Sequence, residues 1–183
     1  MARRLNDAYY SAKWMTYFLL QNVDIYLNQS VLEPCCGEGA ISNYLKQEGY
    51  QVITNDINPV CVADMHCDYL DMNPELTKWV HWVVTNPPYN DAFGMLQKAM
   101  DDAEIGVAML LRLSFVEPTD DRGLWLEKHP PTVRITLPRY SFTGDGRKDN
   151  VTSEWMVWLH GSHPQKNVIV SKESLAQWIR EQG

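Results

Sequence analysis

Val83-Val84-Thr85-Asn86-Pro87-Pro88-Tyr89-Asn90 is the stretch from which the rest of the chain can be read. The apolar run from Trp82 to Val84 predicts a buried strand. It must stop at Asn86, because two successive prolines lack backbone donors and cannot continue a central strand. The prolines hold the backbone extended at the strand's carboxyl end, where open α/β sheets bind ligands. An amide, a rigid carbonyl and a phenol then project from one fixed turn. That set suits a planar amino group, with two acceptors for its hydrogens and a ring to stack on.

Upstream, Val31-Leu32-Glu33-Pro34-Cys35-Cys36-Gly37-Glu38-Gly39-Ala40 predicts a short strand ending at Pro34 and a Gly-x-Gly turn. A helix over 41–48 follows, with Gly49 as its C-terminal cap. The two glycines admit a ligand that a Cβ would exclude, and the missing third glycine means the dinucleotide fingerprint is not met. Residues 50–56 predict the second strand, with Asp56 at its end. An acidic side chain there can accept bonds from both hydroxyls of a ribose, though Asp before Ile57-Asn58-Pro59 is also a turn former. A short third strand is expected to end in His66-Cys67-Asp68-Tyr69-Leu70, which makes Trp82–Val84 the fourth strand. A helix over 91–103 and a buried fifth strand over 105–113 continue the alternation, which predicts right-handed crossovers and a parallel sheet.

Residues 114–150 differ. Pro118, Pro130, Pro131 and Pro138 punctuate them, a short helix over 120–128 is the one regular element expected, and a Gly/Asp-rich loop carries Tyr140 and Phe142. A strand over 151–160, a terminal strand or extended piece from 168, then a Ser171-capped helix with Leu175, Trp178 and Ile179, complete an expected single domain over 1–183.

The 183 residues, with 45% hydrophobic and 21% charged side chains, describe an ordinary globular protein. No apolar run approaches membrane-spanning length and no signal-peptide layout is visible, so the cytoplasm is expected and a membrane partner is not. Four cysteines, two of them adjacent, make a poor disulfide framework. Cys61, His66 and Cys67 lack a CxxC pair, so no metal site is expected. The net charge of −7 is unevenly spread: residues 1–111 balance at −8 and residues 112–148 at +2. Arg112, Arg122, Lys128, Arg134, Arg139, Arg147 and Lys148 thus form either a phosphate-facing surface or an ordinary mixed one.

The Asn-Pro-Pro-Tyr tetrapeptide, the acidic-x-x-x-Gly-x-Gly loop and the acidic-Ile-x-Pro turn together resemble the S-adenosylmethionine-dependent amino-group methyltransferases. The layout of residues 7 to about 160 is similar to small, phage-like DNA adenine-N6 methyltransferases. The resemblance implies a Rossmann-like class I α/β fold with a mostly parallel seven-stranded sheet and helices on both faces. It implies S-adenosyl-L-methionine as cofactor, held by Tyr10, Ser11, Glu33, Pro34, Cys35, Gly37, Gly39, Asp56, Ile57, Asp68, Tyr69 and Asn86. Ser11 stands where the family's leading segment has threonine, and Ala12 where it has proline. Asp68 would meet the cofactor's adenine amine, with Tyr69 beside the ring.

By the same resemblance Asn86, Pro87, Pro88 and Tyr89 are catalytic, and the region 114–150 faces the substrate without a separate target-recognition domain. Phe142 either stacks on the far face of an extruded base or packs in the core. DNA with a flipped adenine is the expected partner, in a bacterial or phage-infected cell. RNA bases, a protein glutamine amide and a catalytically silent cofactor-binding module are the alternatives. Pro34-Cys35 cannot be a cytosine-C5 nucleophile, because it sits in the cofactor loop.

Overall fold

Alternating apolar stretches and glycine or proline stops give, in the computed structural model, a single sheet flanked by helices; the structure describes residues 13–139 and 152–182. In chain order the elements are α1 (Lys13–Leu20), β1 (Ser30–Glu33), α2 (Ala40–Gln47), β2 (Gln51–Thr54), β3 (Trp82–Thr85), α3 (Ala92–Asp102), β4 (Gly106–Arg112), α4 (Asp120–Lys128), β5 (Val133–Thr136), β6 (Ser153–Leu159), β7 (Lys166–Ile169) and α5 (Lys172–Gln182). The strand order across the sheet is β2-β1-β3-β4-β6-β5-β7. β6 runs antiparallel to both β4 and β5, and the other pairs are parallel.

Side chains alternate across the strands, so the sheet carries two cores. One holds Val31, Trp82, Val84, Ala108, Leu110, Ile135 and Trp155 beneath α1, α2 and α5. The other holds Leu32, Val83, Val107, Met109, Met156 and Trp158 beneath α3 and α4. The expected Rossmann-like layering, with helices on both faces, is therefore what forms. Among the described residues, no helix is long and apolar enough to cross a membrane.

The strand count agrees with expectation, but its membership does not. The third strand expected before Leu70 does not form: all that remains is an isolated bridge between Asn55 and Met65. Its place is taken by side-chain bonding. Asn55 accepts the Cys67 N–H at 3.1 Å and donates to the Cys67 carbonyl at 3.0 Å, and Asp68 then caps a 3-10 turn over Tyr69–Asp71. Trp82–Thr85 is consequently the third strand. The seventh strand is β5, inside the region expected to hold only a short helix and loops. Prolines bracket it closely, and its polar alternation makes sense only against its neighbours β6 and β7.

Candidate functional site

Parallel pairing of β1 with β2 and with β3 brings three strand ends to one edge of the sheet. From β1 the chain turns through Pro34, Cys35 and Cys36 into Gly37 (φ +52°) and Gly39 (φ +78°), then enters α2. A Cβ on Gly37 would meet no described residue within 4 Å, so among the described residues the loop's backbone is uncovered there. A Cβ on Gly39 would lie 2.8 Å from Asn43 Nδ2, the end of an exposed side chain that would have to shift, and the left-handed backbone is what calls for glycine here.

Two carboxylates hold the loop. Glu33 is 1% exposed and accepts the Ser42 N–H at 2.8 Å, satisfying an otherwise unpaired donor of the first turn of α2. Burial pushes its carboxyl up to about 8, against hydrogen bonds from Ser42 and assisted by the charge of Asp56. The side chain thus supports the loop from within, through the first turn of α2. Asp56 is half-buried: Oδ2 accepts the Gly37 N–H and Oδ1 the Asn58 N–H, each at 2.8 Å. Each oxygen keeps acceptor capacity, which a ribose diol could use. Ile57, beside it, is 48% exposed.

Asn55 is the residue that sequence reasoning missed. Fully buried, it donates to the Pro34 carbonyl and to Cys67, at 3.0 Å each, so one side chain ties the glycine loop, the end of β2 and the 67–71 segment together. The only available signal is an amide just before the acidic residue, within the stretch 50–56 that predicts the second strand. Cys35 and Cys36 are free; burial pushes the Cys35 thiol up and the Cys36 thiol to about 12, with Glu33 and Asp56 adding to both. Neither is a ready thiolate.

Asp68 caps the 3-10 turn, accepting the Leu70 N–H at 3.1 Å. Tyr69 is 1% exposed, and its hydroxyl donates to Asp102 at 2.7 Å, while Lys98 lies 5.3 Å from the ring centroid. Burial and the Asp102 charge push its phenol up. Its ring belongs to the core that lies against α3.

From β3, Asn86 leaves the sheet half-buried, Pro87 is buried and Tyr89 is half-buried. Because β3 pairs with β1, this tetrapeptide leaves the sheet beside the strand that leads into the glycine loop. Tyr10, Ser11, Tyr140 and Phe142 lie outside the described residues. Of the basic side chains that form either a phosphate-facing or an ordinary mixed surface, three contact neighbouring protein groups. Arg112 stacks on Tyr89, Arg122 lies over Phe115, and Arg134 pairs with Glu154.

No family model matches the sequence, and no curated protein does either. Solved structures do match in fold. A Listeria monocytogenes protein described as a class I S-adenosylmethionine-dependent methyltransferase is 14% identical, with TM-score 0.62 over 92% of this chain and 68% of that one. A type I restriction-modification methyltransferase subunit from Streptococcus thermophilus is 12% identical, with TM-score 0.63 over 92% of this chain and 50% of that one. The 23S rRNA methyltransferase ErmE is 15% identical, with TM-score 0.59 over 92% and 74%. The fold is therefore that of the class I methyltransferases, while the chain spans only about half the restriction-modification subunit.

Proposed function

We propose that this protein transfers a methyl group from S-adenosyl-L-methionine to the exocyclic N6 amino group of adenine in DNA. The observation that carries the reading is the Asn86-Pro87-Pro88-Tyr89 turn at the end of β3, one strand from a glycine loop whose Gly37 N–H is tied to Asp56.

The residues fit the cofactor. The open side of Gly37 admits a ligand against bare backbone, and Asp56 retains lone pairs for the two ribose hydroxyls. The bound cofactor supplies an activated sulfonium methyl. Adenine N6 is a weak nucleophile, because its lone pair is delocalised into the ring. The Asn86 side-chain oxygen and the Pro87 carbonyl accept its two hydrogens and favour a pyramidal nitrogen. Tyr89 stacks on the base, which in a duplex must first be extruded at a cost of a few kcal/mol. Positioning and preorganised acceptors supply the rate enhancement, with no covalent intermediate. The restriction-modification neighbour supports DNA as substrate; the ErmE likeness makes RNA the arm that the test must include.

Incubation with methyl-labelled cofactor and, separately, unmethylated DNA, total RNA or release-factor protein, followed by digestion, should yield N6-methyladenine from DNA. Label confined to RNA or protein would overturn the substrate assignment. Asn86→Ala is expected to lower turnover by about 100- to 1,000-fold. Because Asn86 also stands among the residues expected to hold the cofactor, affinity is measured alongside, and turnover should fall by far more than cofactor binding does.

A further inference from the structure

Arg112 is the last residue of β4 and sits opposite Ser153 of β6. Its guanidinium carbon lies 4.2 Å from the centroid of the Tyr89 ring. A planar cation this close is held by the negative face of the ring, more firmly where water is partly excluded. Both side chains are half-buried. β3 and β4 run parallel, with Thr85 beside Met109, so the arginine reaches the tetrapeptide from the adjacent strand.

A phenol ring has two faces, and a guanidinium at 4.2 Å fills one of them. Any other planar group must then use the opposite face. We propose that Arg112 is a positioning residue: it clamps one face of Tyr89 and so directs the target base to the opposite face. This rests on the reading above, in which Tyr89 stacks on that base. The clamp acts before the base arrives. A tyrosine at the end of a rigid Pro-Pro segment still has two side-chain torsions to lose, and the stacked guanidinium removes that freedom in advance. It also restricts the side from which the base can approach, and hence which way its amino group points relative to Asn86 and Pro87. The neighbouring charges show the same inward use, since Arg122 lies 5.1 Å from the Phe115 centroid and Arg134 is bonded to Glu154.

The test is a double-mutant cycle on the full chain, with unmethylated duplex DNA and, in parallel, RNA as methyl acceptors. Arg112→Met should lower kcat/KM for the nucleic acid by about 2- to 30-fold. Cofactor affinity should change by less than about twofold. Arg112→Lys, which keeps the charge but not the planar stack, should fall between Met and wild type. In a Tyr89→Phe background Arg112→Met should cost as much as it does alone; in a Tyr89→Leu background it should cost nothing further. If Tyr89→Leu turns over too slowly, the same cycle is read from the affinity for a fluorescent adenine-containing oligonucleotide. Equal losses in the Phe and Leu backgrounds would overturn the clamp, since the arginine would then act independently of the ring. Faster transfer by Arg112→Met would also overturn it, because the arginine would then be plugging the face that the base needs. Wild-type protein that methylates neither DNA nor RNA would instead refute the proposed function, a result separable from failure of the clamp alone.

Discussion

Glu33 shows how a single carboxyl can be shaped by what surrounds it. It hydrogen-bonds the start of α2 at 2.8 Å while being almost wholly removed from water. Its pKa rises from 4.5 to about 8, so the folded chain holds the proton more tightly than the unfolded chain does. The stabilisation this gives is complete below pH 4.5 and is lost as pH climbs from there through about 8. Glu33→Gln keeps the acceptor and removes the titration. Thermal melts between pH 5 and pH 8.5 should therefore fall less steeply for the variant, by about 3 °C or more across the range. Parallel curves for the two proteins would mean that the carboxyl does not titrate there.

Within the loop between β1 and α2, the two glycines answer different demands. Gly39 has both a left-handed backbone and a close neighbour, with a Cβ only 2.8 Å from Asn43 Nδ2. Gly39→Ala should cost about 2–3 kcal/mol in urea unfolding. Gly37 has the left-handed backbone but no described residue within 4 Å of where a Cβ would lie. Gly37→Ala should cost only about 1–2 kcal/mol of stability. It should nonetheless weaken cofactor binding by about tenfold or more in titration calorimetry, if the open side is where the cofactor lies. A Gly37→Ala protein that binds cofactor normally would remove the loop from the proposed site. The loop's existence was readable from Gly-x-Gly after a short apolar strand, but the difference between its glycines was not. Asn43, which makes the distinction, lies on the following helix and packs back onto the turn.

Across the whole molecule, a buried ion pair joins the strands of the antiparallel half. Arg134 on β5 donates to Glu154 on β6 at 2.7 and 2.8 Å, and Thr136 donates to the same carboxylate at 2.6 Å. The Glu154 side chain is 3% exposed and that of Arg134 30%, so removing the arginine strands a charge away from water. Arg134→Met should destabilise the fold by about 2–4 kcal/mol, read as a lower urea midpoint. Arg134→Met combined with Glu154→Leu should recover much of that loss. No recovery would show that the carboxylate has essential work beyond pairing. While Arg134, Arg122 and Arg112 contact neighbouring protein groups, Arg139 and Lys128 are the exposed cations among the described residues of the 112–139 segment.

The linear chain by itself determined the features built from consecutive residues. Asn86-Pro87-Pro88-Tyr89 had to end a strand because proline cannot ladder, Gly37 and Gly39 had to make a tight turn, and Asp56 had to follow an apolar strand. Helix α4 appears with the bounds its sequence suggested, and β3 and β4 follow from apolar runs too short for helices. Tertiary structure alone decided what depends on partners far along the chain. The four residues of β5 become a strand only between β6 and β7. Residues 66–70 fail to become one because Asn55 satisfies Cys67 with its side chain. Tyr69 is drawn into the core by Asp102, 33 residues later, and Arg112 is brought onto Tyr89 by the pairing of β3 with β4. Local backbone chemistry can be read residue by residue. Burial and cross-strand contact depend on where the whole chain goes, and no short stretch contains that.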